Sequence, residues 1–447
     1  MSEWKETDIG LIPKDWQYVP FQSVLLQPLR NGIYKSKEYH GRGTRVVNMG
    51  EIFSFDKLPC VEMSRIELDK DEFEKSSVIE GDLLFARRSL VAEGAGKCTL
   101  VLSQNEPLTF ESSIIRARPN PKKTDSAYLL YLFSSRIGKY LLRTILRQVA
   151  VSGITGTDLA KLNLPLPVLE EQKSVSNLLS SLDRKIENLR NQNETLEKIA
   201  QTLFKHWFVD FEFPYDFAQG RPNADGKPYK SSGGEMMPSE LGEIPVGWRV
   251  GKLGDVTTTI TKGTTPTTLK RQFQESGINF LKAESITDQH SIDSSKLAYI
   301  DEETNQLLRR SILQEKDVVY TIAGTIGRYA MVGKSLLPAN TNQAVAIIRP
   351  NIEKVDPEYI LCYFSSRSYQ YYLSSRVVQA VQANLSLAIL GESPIIIPST
   401  QIRKSFGELI KPLVRKKEQN QEQIQTLTQT RDALLPKLMS GQLRIKP

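Results

Sequence analysis

The chain has 447 residues, 40% of them apolar, with 58 Lys and Arg against 51 Asp and Glu, a formal net charge of +7, three cysteines and three histidines. That length predicts several domains at the usual ~100–200 residues each, and the composition excludes wholesale disorder and collagen-like structure. No apolar run approaches the ~18 residues that a membrane span needs, and Met1-Ser2-Glu3-Trp4-Lys5-Glu6 lacks the basic and apolar regions of a signal peptide, so a cytoplasmic setting is expected. Cys60, Cys98 and Cys362 are far apart and form no cluster with His40, His206 or His290, which predicts reduced thiols and no zinc site. A charge of +7 permits a polyanion partner without requiring one.

In chain order, the first ~165 residues carry short apolar runs such as Asp82-Leu83-Leu84-Phe85 and Ser113-Ile114-Ile115, separated by Gly, Pro, Asn and Ser. These read as strands and turns. A helix is expected over about Tyr128–Leu146 from its apolar spacing. Leu164-Pro165-Leu166-Pro167 closes this part as an edge or boundary segment, because proline has no amide to donate.

Next comes a heptad run: Leu179, Leu182, Ile186, Leu189, Asn193, Leu196, Ala200, Leu203 and Trp207, spaced alternately three and four apart. That is the seam of a coiled coil. The segment after it, Pro214 to Pro238, is rich in Gly, Ser, Asn and Pro and reads as a linker.

The chain then repeats itself at an offset of about 231 residues. Gly10-Leu-Ile-Pro-Lys-Asp-Trp16 recurs as Gly242-Glu-Ile-Pro-Val-Gly-Trp248, and Gly81-Asp82-Leu-Leu-Phe85 as Lys316-Asp317-Val-Val-Tyr320. Ile114 to Asn120 returns in shortened form as Ile347 to Asn351, and Tyr128 to Arg136 as Tyr359 to Arg367. Pro394-Ile-Ile-Ile-Pro398 closes the second copy. Its helix carries Ile410, Leu413, Lys417, Asn420, Ile424, Leu427, Arg431, Leu434 and Leu438, a more polar seam in which Pro412 and Pro436 are expected to limit or kink the helix. Two copies mean a duplicated multi-element unit, not a solenoid. If the two seams pair, polar residues such as Asn193 fix the register; the alternative is that each helix lies on its own globular part.

No catalytic constellation stands out. Gly327 to Lys334-Ser335 resembles a phosphate-binding loop but has five residues between the glycines where four are needed, and reads as a strand and turn. The Rossmann, HExxH and GxSxG patterns are absent, as is the Asn/Asp-Pro-Pro-aromatic tetrapeptide of amino-methyltransferases. Asp69-Lys70-Asp71-Glu72 reads as a solvated turn. The chain is therefore read as non-catalytic by itself.

What remains is basic and small polar chemistry on predicted loops. In the first copy these residues are Lys35 and Lys37 after Asn31-Gly32, then Arg87, Arg88 and Ser89 beyond a strand, and Lys97 in a glycine-rich turn. Arg136, Lys139, Arg143 and Arg147 form a helical basic stripe. In the second copy they are Lys262-Gly263-Thr264-Thr265, Lys270, Arg271 and Arg328. Lys and Arg bind phosphates or guanine, and Ser and Thr reach other base edges. Each cluster alone reads as solvated surface; repeated on two similar domains joined by long helices, they become candidate DNA contacts.

Several motifs together resemble the DNA-specificity subunit of type I restriction–modification enzymes. They are the two Gly-…-Trp segments, Leu164-Pro-Leu-Pro-Val-Leu-Glu-Glu-Gln172, Leu203-Phe-Lys-His-Trp-Phe-Val-Asp-Phe211 and Leu434-Leu-Pro-Lys-Leu-Met-Ser-Gly-Gln442. Ser399-Thr400-Gln401 departs from the fuller Leu-Glu-Glu-Gln form. The resemblance implies an α+β fold with two target-recognition domains, residues 1–167 and 239–398. Two spacer helices, 168–211 and 399–447, would form an antiparallel coiled coil, with a linker at 212–238. It further implies a prokaryotic chain in which each domain reads half of a bipartite double-stranded DNA target. Two modification subunits would dock on the helices and restriction subunits would join them. S-adenosylmethionine, ATP and Mg2+ are expected on those partners, with no cofactor or metal on this chain. The rival expectation is a coiled-coil adaptor whose two heads bind proteins.

Overall fold

The computed structural model describes residues 4–89, 94–147, 152–377 and 384–445. It divides into two units, Met1–Lys185 with Leu427–Pro447, and Ile186–Thr426. The divisions fall inside the two long helices, Leu169–Phe208 and Thr400–Met439, each of 40 residues. At ~1.5 Å rise per residue each helix is about 60 Å long.

In the first unit the head is built on a five-stranded sheet ordered Arg30–Asn31, Ile114–Ala117, Leu83–Ala86, Cys98–Val101, Lys57–Leu58. The run Leu83–Ala86 is buried at every position because both sheet faces are covered. Leu83 and Phe85 point into a core with Tyr128, Leu132, Phe133, Val175, Leu179, Leu438 and Met439. Leu84 and Ala86 point into a second core with Val47, Val101 and Phe110. This is the two-residue period of a strand. Phe21, Phe85 and Phe133 meet edge to face at 5.0–6.1 Å, adding about 0.5–1.5 kcal/mol per pair beyond the area they bury. A three-stranded sheet, Leu108–Phe110, His40–Val47 and Arg65–Ile66, completes the head.

The head of the second unit repeats the plan. Its four-stranded sheet is ordered Thr257–Lys262, Val345–Pro350, Val318–Thr321, Tyr329–Met331, beside a three-stranded sheet of Ala298–Ile300, Ile278–Leu281 and Ala339–Thr341. Val318 and Tyr320 face one core and Val319 the other. Individual bonds recur at nearly the same offset. Asp82 accepts two hydrogen bonds from Arg118 at 2.7 and 2.8 Å, and Asp317 accepts two from Arg349, both at 2.7 Å. The Tyr128 hydroxyl donates to the Pro165 carbonyl at 3.3 Å, and that of Tyr359 to Ile396 at 2.7 Å. The counterpart of Arg349 is thus Arg118, not Arg116.

Both proline-bracketed segments lie in two-stranded sheets: Asn163–Leu166 pairs with Gln17–Pro20, and Pro394–Ile397 with Arg249–Lys252. Three other local expectations are corrected. The helix expected over Tyr128–Leu146 is two helices, Ser126–Ser134 and Arg136–Thr144, because the Ser135 hydroxyl caps the second by accepting from the Gly138 amide at 3.2 Å. Gly138 is required there, since a Cβ would lie 2.1 Å from the Leu132 carbonyl oxygen. Asp69-Lys70-Asp71-Glu72 is a helix start: Asp69 caps Lys70–Ser76, and Glu72 returns the bond. Finally, Pro412 and Pro436 do not end the second long helix. Both are exposed, and the buried Ile410, Ile424 and Leu438 anchor the helix at a gain that exceeds the ~3 kcal/mol cost of an interior proline.

The segment read as a linker is folded into the second unit. Pro214–Asp216, Arg221–Pro222 and Lys227–Pro228 form a small sheet, and Phe213 is stacked on Tyr229 at 4.6 Å and on Trp248 at 5.2 Å. Its aromatic residues supply apolar area that its Gly and Pro content conceals.

Within each unit the helices pair antiparallel. In the first, Asp183 bonds Arg431 at 3.1 Å, and Glu171 bonds Arg444, beyond the second helix, at 2.7 and 2.6 Å. In the second, Asn193 meets Asn420 at 2.9 Å, Glu197 meets Lys417 at 2.8 Å, and Phe208 meets Phe406 at 4.7 Å. The seam read from the heptads is the buried face. Leu179, Ile186, Leu189, Asn193, Ile410, Asn420, Ile424 and Leu438 are buried, while Leu182, Leu196, Leu203, Leu413, Leu427 and Leu434 are half-buried.

Candidate nucleic-acid interface

The motifs at the helix ends hold the heads in place. Gln172 is buried; its side-chain oxygen accepts from the Thr124 hydroxyl and the Asp125 amide, and its nitrogen donates to the Pro167 carbonyl at 2.9 Å. Arg403 occupies the corresponding place in the second copy and donates to the Ile352 carbonyl at 3.0 Å. Ser399 starts that helix by accepting from the Ile402 amide at 3.4 Å. Asp183 receives Lys57 at 3.0 Å, Tyr131 at 2.5 Å and Arg431 at 3.1 Å, so one carboxylate ties the first head to both helices. Burial alone would raise its pKa, but these three partners together hold it below the ordinary 3.8.

In each head, loops carrying candidate residues meet at one end of the central sheet. In the first, the Gly32 amide donates to Ile114 at 3.1 Å, and the Arg87 amide to Ser113 at 2.8 Å; Arg88 pairs with Gly153. Gly32 has no room for a side chain, since a Cβ would lie 2.2 Å from the carbonyl oxygens of Phe110 and Glu111. In the second, the Gly263 amide donates to Asn342 at 3.2 Å, and a Cβ there would lie 1.8 Å from the Thr341 carbonyl oxygen. The Thr265 hydroxyl bonds the side-chain oxygen of Gln343. These loops come from segments that lack acidic residues: 16–37, 83–92 and 112–124 in the first copy, 256–274 and 318–352 in the second. These segments themselves carry no carboxylate to repel a polyanion, although carboxylates from other segments pair with some of the candidate cations.

The candidate cations divide into two groups. Lys35 lies 2.6 Å from Glu72 and 4.6 Å over the Tyr39 ring; Lys97 lies 3.2 Å from Asp56. Arg271 pairs with Glu303, and Arg328 grips Asp288 with two bonds at 2.6 and 3.0 Å. These four are balanced within the fold. Lys37, Arg88, Lys262 and Lys270 are exposed and have no ion pair among the described residues. Arg87 is half-buried, with a long 3.5 Å bond to the Ser112 carbonyl; Ser89 is buried, and Thr264 and Thr265 are half-buried. On the stripe, Arg136, Lys139 and Arg143 are exposed without ion pairs among the described residues, while Arg147 pairs with Asp158 at 2.7 Å.

The heads differ where the sheet is otherwise alike. Arg116 is buried beside Arg118, and burial pushes its pKa down to about 10, whereas Ile347 fills that place in the second copy. Gln343 was not among the candidates from sequence, because it is uncharged and belongs to no motif; the acid-free run around it is the signal that could have found it. Among the described residues no group of three or more His, Cys, Asp or Glu could hold a metal ion, and no helix is long and apolar enough to cross a membrane.

Comparison with known proteins agrees with this duplicated design. The family model described as the type I restriction modification DNA specificity domain matches residues 13–198 and again 245–429. The type I restriction enzyme MjaIX specificity subunit of Methanocaldococcus jannaschii is 28% identical over 453 residues, covering 100% of this chain and 97% of that one. The HindI specificity subunit of Haemophilus influenzae is 24% identical, covering 99% and 100%. The crystal structure of a type I restriction–modification S subunit from M. genitalium shares the fold, with a TM-score of 0.58 at 16% identity over 95% of this chain and 96% of that one. The chain belongs to the type I restriction–modification DNA specificity family, as a specificity subunit carrying two copies of the family's domain.

Proposed function

We propose that each head reads one half of a two-part double-stranded DNA target, and that the paired helices set the gap between the halves and dock two modification subunits. Those subunits would carry S-adenosylmethionine and methylate adenine, and restriction subunits would bring ATP- and Mg2+-dependent cleavage; this chain supplies address, not chemistry. The observation that supports this reading is the reciprocal build of the two units. Each contains one head together with the opening of one helix and the closing of the other. Half-sites one turn apart lie about 34–36 Å centre to centre, within the ~60 Å length of such helices. Lys37, Arg88, Lys262 and Lys270 would meet phosphates, with Arg87, Ser89, Thr264 and Thr265 nearer the bases.

Single-molecule methylation sequencing of host DNA, with and without this chain, tests the reading. The expected result is a gapped adenine-methylation motif that disappears on deletion. A methylome unchanged by deletion would contradict it and favour an adaptor whose heads bind proteins.

A further inference from the structure

We propose that Gln343 is a base-reading residue of the second head, recognising the major-groove edge of an adenine, with Thr265 as the positioning residue for its amide. This rests on the reading of the heads as DNA readers and adds a residue and a base to it. Gln343 is exposed, and its side-chain oxygen accepts a hydrogen bond from the Thr265 hydroxyl. An amide oxygen has two lone pairs and the amide nitrogen two hydrogens. The bond to Thr265 therefore leaves one acceptor and both donors for a ligand. Adenine presents a matching pair in the major groove, the N6 donor and the N7 acceptor.

The platform beneath is stiff for a physical reason. Gly263 lies so close on residues 341–342 that only glycine fits, and its amide donates to the Asn342 carbonyl. The loop carrying Thr265 is thus fixed against the segment carrying Gln343. Anchoring a long side chain in advance reduces the rotamer freedom lost on binding. The neighbours are less suited to this role. The Asn342 side chain already accepts from the Ala344 amide at 3.2 Å, and Lys262 offers a point charge better matched to phosphate.

The first head has the same platform with other side chains on it. Gly32 makes the same close approach, while Ser112 stands at the position of Gln343 and Tyr34, 81% exposed, at that of Thr265. One scaffold with exchanged polar groups suits two heads that read different half-sites.

The test is methylation sequencing of host cells that carry the full chain with its native partners, comparing wild type with Gln343→Ala, Gln343→Glu, Thr265→Ala and Thr265→Ser. Gln343→Ala should relax one adenine position in one half-site, on the order of tenfold, and leave the other half unchanged. Gln343→Glu should shift that position toward cytosine, whose N4 group donates to a carboxylate. Thr265→Ala should relax the same position less, and Thr265→Ser should retain wild-type selectivity. A wild-type motif at wild-type occupancy in Gln343→Ala would overturn the proposal alone. So would an equal loss at every site with no base relaxed, the mark of a backbone contact. If Gln343→Ala fails to accumulate, the near-isosteric Gln343→Glu decides in its place. Absence of a two-part motif in wild type itself would instead overturn the underlying reading.

Discussion

His290 shows how one side chain can carry a pH dependence into this fold. It adopts a left-handed backbone, φ 53°, which histidine tolerates better than most residues, and stacks on Tyr329 at 3.9 Å. Its Nδ1 is buried with no hydrogen-bond partner among the described residues, and its Nε2 lies 3.6 Å from Glu197. Burial pushes its pKa below the ordinary 6.5, assisted by Lys417 and opposed by Glu197 and Asp288. The folded state therefore favours neutral imidazole, while the unfolded chain takes up a proton near pH 6.5. Stability from this site is complete above that pH and declines as pH falls below it. Thermal melting of wild type should show a lower Tm at pH 5.5 than at pH 7.5, and His290→Gln should reduce that difference; an equal difference in the variant would remove His290 as its source. At this scale the sequence was least legible. Lys35, Lys97, Arg271 and Arg328 were visible as cations, but Glu72, Asp56, Glu303 and Asp288, which balance them, stand some 30 to 40 residues away in sequence. Folding alone brings them together, so formal charge overstated the free cations.

The long helices were the most legible elements, because a heptad pattern specifies both helix and buried face. Asn193 and Asn420 form a buried amide layer within their seam. Asn420 donates to Asn193 at 2.9 Å and to Gln192 at 3.3 Å, while the Asn420 oxygen has no partner among the described residues. Such a pair contributes register more than stability. Asn193→Leu alone leaves Asn420 buried with one partner fewer and should cost about 1–3 kcal/mol in denaturant unfolding. Adding Asn420→Leu should recover most of that loss, because a matched apolar layer needs no hydrogen bond. A single variant as stable as wild type would show that the pair is not satisfied in solution. Shorter elements were harder to read. The break at Ser135 depends on a hydroxyl cap and a glycine that fits beneath Leu132, and neither interrupts the apolar spacing.

For the molecule as a whole, duplication was evident from sequence because several short motifs recur in order at nearly one offset. Asp82 with Arg118 and Asp317 with Arg349 are the same device made twice, a buried carboxylate held by a half-buried arginine, and removing the arginine should cost up to ~3 kcal/mol by leaving that carboxylate uncompensated. The segment between the copies was misread, since composition weighs Gly and Pro without knowing that Phe213 stacks on Trp248. Family membership accounts for two specificity domains on one chain; under the proposed function the helices set the separation at which they act. The most direct measurement adds one heptad to each helix, beside Glu197 in the first and beside Lys417 in the second, where the two residues pair at 2.8 Å. Seven residues add about 10 Å, or roughly three base pairs. Methylation sequencing should find both half-sites unchanged and the gap between them longer by about that amount. An unchanged gap, or altered half-sites, would contradict the helices as the ruler.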